Sequence, residues 1–104
     1  MTNPWRGEVA IVLDGTRYEA KLTLGALAEL EEELATGSLI ELVERFEAER
    51  YSARDVIALL AAGLRAGGWA GTSRDLLRAE IAGGPIEATR VAGQLLSRAF
   101  ETSR

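Results

Sequence analysis

The 104-residue sequence contains no cysteine and no histidine. These two absences exclude disulfides, thiol nucleophiles, the usual zinc sites and the commonest general base. A chain without cysteine also fits a cytoplasmic protein. No apolar run approaches the roughly 18–20 residues of a transmembrane helix, and residues 1–8 lack the charged-then-apolar pattern of a signal peptide. We therefore expect no membrane partner.

Positive charge is also scarce, because twelve basic residues face sixteen acidic ones and the net charge is −4. Nucleic-acid binding needs clustered lysine and arginine to neutralise phosphates, so we expect no nucleic-acid partner. A catalytic carboxylate needs a second acid or a base beside it, and the sequence indicates none. We expect a solvated helix face and no enzyme, cofactor or metal site from the acidic cluster: Glu29, Glu31, Glu32, Glu33, Glu41, Glu44, Glu47 and Glu49.

Residues 7–22 are typical of a β-hairpin. Two runs of alternating apolar and polar residues flank Asp14-Gly15, and this dipeptide favours a type I′ turn, whose two central residues both need positive φ. The inward residues then pair across the strands, Val9 with Ala20 and Ile11 with Tyr18. Because an isolated hairpin is marginal in water, we expect a helix over residues 53–66, the most apolar one, to cover this face.

The rest of the chain is predicted to be helical. Capping residues and the spacing of leucines place the helices at about 24–35, from Ser38 to before Arg50, at 53–66, at 74–82, and from Pro85 to about 101. On the first helix we expect one apolar side: Leu24, Leu27, Leu30 and Leu34.

Strands that precede helices, without alternation, indicate an α+β fold, mainly α, with an N-terminal hairpin packed on about five short helices. The length fits one domain over 1–104. We divide it into a loose lead-in (1–6), the hairpin (7–22) and a helical part (24–103).

Four apolar side chains are the predicted partner contacts: Trp5, Val12, Trp69 and Phe100. Val12 lies on the outer face of the hairpin. Each aromatic residue has two interpretations, because it either packs on the core or presents an anchor to a partner. The glycine-rich loop that holds Trp69 lacks the lysine and the spacing of a phosphate-binding loop.

The stretch from Gly7 to Phe46 resembles a known family. The matching features are the strand with Asp14-Gly15, the helix entry LGAL, the glutamate-rich helix and the sequence GSL at 37–39. The apolar helix that ends in GLRAGG at 63–68 continues the match, and the final third matches less well. These features resemble the tail assembly chaperone-like proteins of gene transfer agents and related tailed phages of α-proteobacteria, some of which are called tail tube proteins.

The resemblance implies a non-catalytic tail morphogenesis factor that binds the tape-measure protein in the bacterial host cytoplasm during particle assembly. It supplies no catalytic residue. Two alternatives stay open. The first is a structural tail component, such as a tube or terminator-like subunit. The second is a small DNA-binding regulator that uses helices at 52–68 and 73–82 as a helix-turn-helix. The sequence leaves the oligomeric state open.

Overall fold

The computed structural model describes residues 7–34 and 38–100. In this part of the chain, an N-terminal hairpin of two antiparallel strands, β1 (Val9–Leu13) and β2 (Thr16–Ala20), precedes five helices. The helices are α1 (Leu24–Glu33), α2 (Leu39–Glu47), α3 (Ala53–Ala66), α4 (Ser73–Leu76) and α5 (Gly84–Ala99). This confirms the predicted α+β class with a mainly helical content.

The hairpin has the predicted register, in which Val9 pairs with Ala20 and Ile11 pairs with Tyr18. Its turn residues have φ values of 50° at Asp14 and 81° at Gly15. Both are positive, as a type I′ turn requires. The turn therefore fixes which side chains face the core.

Two helices cover the apolar face of the hairpin. β2 packs on α3, as predicted, and β1 packs on α5, which the sequence analysis did not anticipate. Inward residues of both strands join one buried cluster with the two helices. The cluster includes Ile11, Ala20, Leu59, Val91 and Leu95, each at most 2% exposed.

Two glycines of the α3 region let β2 approach the helix backbone. The amide of Lys21 donates to the carbonyl oxygen of Gly63 at 3.1 Å. A Cβ atom on Gly63 would lie 2.9 Å from Cδ1 of Leu95, and one on Gly67 would lie 2.0 Å from the carbonyl oxygen of Glu19. Gly63 therefore lies close to both α5 and the hairpin.

The apolar side of α1 differs from the expected one. Ala26 and Leu30 are buried, whereas Leu24 is 83% exposed. At about 100° per residue, Leu24 lies roughly 120° around the helix from Leu30. The expectation that Leu24 shares the buried side is therefore wrong.

The predicted helix at 74–82 is also wrong in length, because α4 ends at Leu76. The chain that follows runs beside β1 instead. The amide of Asp14 donates to the carbonyl oxygen of Glu80 at 2.8 Å, and the amide of Ala82 donates to that of Val12 at 3.1 Å. These bonds satisfy backbone groups on the open edge of β1, which a helical turn would leave unpaired. The predicted helical part therefore contains a strand-like segment.

The last helix begins one residue earlier than predicted, at Gly84, and Pro85 is its second residue. Gly83 precedes it with a φ of 90°. This left-handed residue lets the chain turn from the edge of β1 into α5.

We expect Gly67→Ala to destabilise the fold by about 1–3 kcal/mol, because the added methyl group overlaps the Glu19 backbone. Gly93→Ala is the matched control. Its Cβ would meet nothing within 4 Å on α5, so it should stabilise by about 0.5–1 kcal/mol through helix propensity. Urea unfolding of both variants tests this. Equal effects of the two substitutions would contradict the close approach of β2.

Candidate partner-binding surfaces

An open groove of about 670 Å³ lies beside the hairpin. It is lined by Val12, Gly15 and residues 79–85, and we call it the Val12 groove. It forms where the strand-like segment turns into α5. Ile81 and Pro85 add apolar surface to it, and Glu80 carries the one charged side chain of its lining.

Val12 is half-buried, and it is the predicted contact residue that lines this groove. Beside the groove, Ile86 follows Pro85 on α5 and is 84% exposed. Sequence reasoning missed Ile86 and the segment 79–85. Their position beside Val12 depends on the backbone pairing of that segment with the hairpin, which no pattern in the sequence indicates.

Trp69 lies at the edge of the core. It is half-buried and packs against the buried cluster. Its amide donates to the carbonyl oxygen of Leu64 at 2.9 Å. Its indole covers Gly71, where an added Cβ would lie 2.2 Å from ring atom Cζ2. Of the two interpretations left open for Trp69, this arrangement corresponds to packing on the core.

Phe100 follows α5 and is 45% exposed. At about 1.5 Å of rise per residue, it lies roughly 22 Å along α5 from Pro85. The structure therefore does not bring Phe100 and Val12 into one patch. Trp5, the remaining predicted contact, lies outside the described residues.

A second surface is acidic and belongs to α1, α2 and the turn after α2. All eight glutamates of the predicted cluster are exposed, including Glu31, and we call this surface the acidic wall. Glu29 forms an ion pair with Arg65 of α3. Ser73 Oγ lies 3.0 and 2.9 Å from the two carboxylate oxygens of Glu33. The wall is thus a solvated face tied to the rest of the fold at its α1 end.

The α2 part of the acidic wall is positioned by a bidentate ion pair. Arg45 Nε donates to Asp55 Oδ2 at 3.0 Å, and Arg45 Nη2 donates to Asp55 Oδ1 at 2.9 Å. The same carboxylate caps α3, because Oδ2 accepts from the Ser52 amide at 3.0 Å. One aspartate therefore fixes the start of α3 and attaches α2 to it.

Burial of the Asp55 carboxyl raises its pKa, but hydrogen bonds from Arg45 and Ser52 outweigh this effect. The pKa of Asp55 consequently lies below its ordinary value of 3.8. The same pairing raises the pKa of Arg45. Because each ionised form is hydrogen-bonded in the fold, the pair acts as a structural connection between two helices.

In residues 7–34 and 38–100, no helix combines the length and apolarity needed to cross a bilayer. Over the same residues, acidic side chains do not converge into a group that could hold a metal ion.

The fold and these surfaces are those of a small protein whose exposed features suit protein–protein contacts. A family model described as "Phage tail tube protein, GTA-gp10" matches residues 6–102. The chain belongs to this gene transfer agent tail family, which confirms the resemblance read from the sequence. No curated protein and no solved structure matches the chain significantly. The family supports a role in tail morphogenesis or tail structure, with other tail proteins as partners.

We expect Asp55→Asn to lower the free energy of unfolding at pH 7 by about 1–3 kcal/mol, because Arg45 loses its charged partner. A carboxyl with a lowered folded pKa contributes stability above its ordinary pKa and loses it as the pH falls toward the folded value. The deficit of the variant should therefore shrink below about pH 4. Denaturant titrations at several pH values measure this.

Asp75→Asn is the control for this prediction. Asp75 occupies the same capping-box position at the start of α4 and accepts from the Thr72 amide at 2.9 Å, but no ion pair with an arginine is found there among the described residues. We expect a smaller loss, about 0.5–1 kcal/mol. A loss at Asp75 that equals or exceeds the loss at Asp55 would contradict the role of the ion pair.

Proposed function

We propose that this protein is a non-catalytic tail morphogenesis factor, a tail assembly chaperone that binds the tape-measure protein. The observation that carries the proposal is membership of a gene transfer agent tail family by a match over residues 6–102. The Val12 groove and the acidic wall supply surfaces suited to a helical partner. On this proposal the protein acts in the bacterial host cytoplasm while the particle assembles.

The Val12 groove is the docking site in this proposal. An amphipathic helix binds by laying its apolar face into a groove, and the floor here combines Val12, Ile81 and Pro85. A volume of about 670 Å³ can accept several apolar side chains, since ligand pockets of this order bury whole small molecules. Ile86, the residue after Pro85 on α5, is exposed and offers a further apolar contact to a bound helix.

The acidic wall has a different part in the proposal. Its exposed carboxylates attract a basic partner and raise the rate of encounter, with less effect on the lifetime of the complex. Salt screens exposed charges over about 10 Å at 0.1 M ionic strength. Binding should therefore slow as the salt concentration rises, while the apolar contact in the groove persists.

The proposal includes no catalytic residue, cofactor or metal. The sequence has no histidine or cysteine, and the carboxylates of the acidic wall lie exposed on helix surfaces. The deepest carboxylate, Asp55, is occupied by Arg45 and Ser52. The glutamates that the sequence analysis considered for catalysis are therefore solvent-exposed.

Co-expression with a tape-measure protein of a gene transfer agent tests the proposal. Tagged wild-type protein should retain the tape-measure protein under mild salt. We expect Val12→Glu to weaken this binding about tenfold or more, because it places a charged group in the apolar contact. Arg17 faces Val12 across the hairpin, so the new glutamate has a cross-strand partner in the free protein and the fold should persist.

Leu24→Glu is the matched control. It makes the same change of charge at an apolar residue that is 83% exposed and lies outside the Val12 groove. It should leave the binding unchanged. Equal losses from both variants would assign the effect to net charge, and failure of the wild-type protein to retain the tape-measure protein would refute the proposal.

A second candidate function is a structural tail component, such as a tube or terminator-like subunit. The description of the matching family as a tail tube protein favours it. The described residues form one short sheet of two strands, so they supply few strands for a tube wall built from β-sheet. Rings or tubes in electron micrographs, together with abundance of the protein in purified particles, would favour this candidate over the chaperone.

In its described residues, the structure lacks the second helix that the DNA-binding alternative needs. This alternative required a helix over 73–82 to enter the major groove, and α4 spans only Ser73–Leu76. We therefore do not propose it.

A further inference from the structure

A second groove lies between α1, α3 and α4, with a volume of about 410 Å³. Its apolar part includes Ile57 and Leu77, and Arg54 and Arg74 also line it. Leu77 is 67% exposed although it is a large apolar residue. We call this site the Arg groove. It is separate from the Val12 groove and has no part in the function proposed above.

The Arg groove is locally positive in a chain whose net charge is −4. Among the described residues, neither Arg54 nor Arg74 forms an ion pair. One carboxylate also lines the groove, that of Glu33, and its two oxygens lie within hydrogen-bonding distance of Ser73 Oγ. Two exposed guanidinium groups beside apolar side chains fit a segment that combines an apolar residue with carboxylates.

This protein carries such a segment on the outer side of α2. Ile40, Glu44 and Glu47 are spaced at i, i+4 and i+7, and all three are exposed. At about 100° per residue they share the side of α2 opposite Leu42, which is completely buried. Ile40 is 69% exposed. We call these three residues the α2 stripe.

We propose that the α2 stripe of one copy docks in the Arg groove of a second copy. Ile40 then covers Ile57 and Leu77, while the two glutamates of the stripe meet the two arginines of the groove. The contact joins surfaces of opposite charge, and it accounts for two large apolar side chains that are exposed in the single chain. The ion pair between Arg45 and Asp55 holds α2 in place, so the stripe is formed before docking.

The contact is small, because one stripe of a nine-residue helix enters one groove. Interfaces below about 1,200 Å² are typical of weak or transient association. We therefore expect an equilibrium that depends on protein concentration, with dissociation constants of about micromolar or weaker. Ionic contacts on the surface should make the association weaker at high salt.

Sedimentation velocity of the full chain over a range of concentrations tests the proposal. The wild-type protein should associate as its concentration rises. The double variants Arg54→Glu/Arg74→Glu and Glu44→Arg/Glu47→Arg should each lose about tenfold or more in association constant, because like charges then meet. An equimolar mixture of the two double variants should regain association, since the reversed charges match again.

Glu31→Arg/Glu32→Arg is the control, because it makes the same change of charge at exposed residues of α1 outside the α2 stripe. It should associate like the wild-type protein. Ile40→Ser should weaken association without changing any charge. Circular dichroism verifies that each variant is folded.

Three outcomes would overturn the proposal: a wild-type protein that stays monomeric, double variants that associate normally, or a mixture that does not recover. The experiment is independent of tape-measure binding, which Arg54→Glu/Arg74→Glu should leave unchanged. If that variant loses tape-measure binding while the wild-type protein stays monomeric, the Arg groove binds the tape-measure protein and not a second copy.

Discussion

The close approach of β2 to the C-terminal half of α3 is the constraint on which the rest of the structure depends. A two-stranded hairpin has little stability alone, and here one edge lies against Gly63 and Gly67, where larger residues would collide with Leu95 and with the Glu19 backbone. Once β2 is fixed on α3, β1 faces α5. The segment that follows α4 then pairs with the open edge of β1, and the Val12 groove forms beside it.

The surfaces are organised by a second, polar constraint. Asp55 caps α3 and pairs with Arg45, so the orientation of α2 follows from the position of α3. The outer side of α2 is polar except for Ile40. The helix nevertheless keeps its position, because the ion pair attaches it to α3. The fold thus presents the charges of α2 on a helix that the ion pair attaches to α3.

The features that could be predicted are those set by neighbouring residues in the sequence. Asp14-Gly15 specified the turn and so the register, and Ser52 marked the start of α3. Contacts between distant segments were not accessible in this way. Nothing local distinguishes 79–82 from a helix, because its conformation depends on the open edge of β1, and the cap residue Asp55 does not reveal that Arg45 would reach it. Val12 was predicted as an outer-face contact, whereas Ile81, Pro85 and the Arg groove depend on how separate elements meet.

The central claim is that the Val12 groove receives the tape-measure protein. Hydrogen–deuterium exchange of the full chain, with and without tape-measure protein, tests it most directly, because the groove is built from backbone segments that exchange can follow. We predict added protection at residues 79–86 and in β1, with little change at the C-terminal end of α5. Protection confined to other surfaces, or none at saturating tape-measure protein, would contradict it.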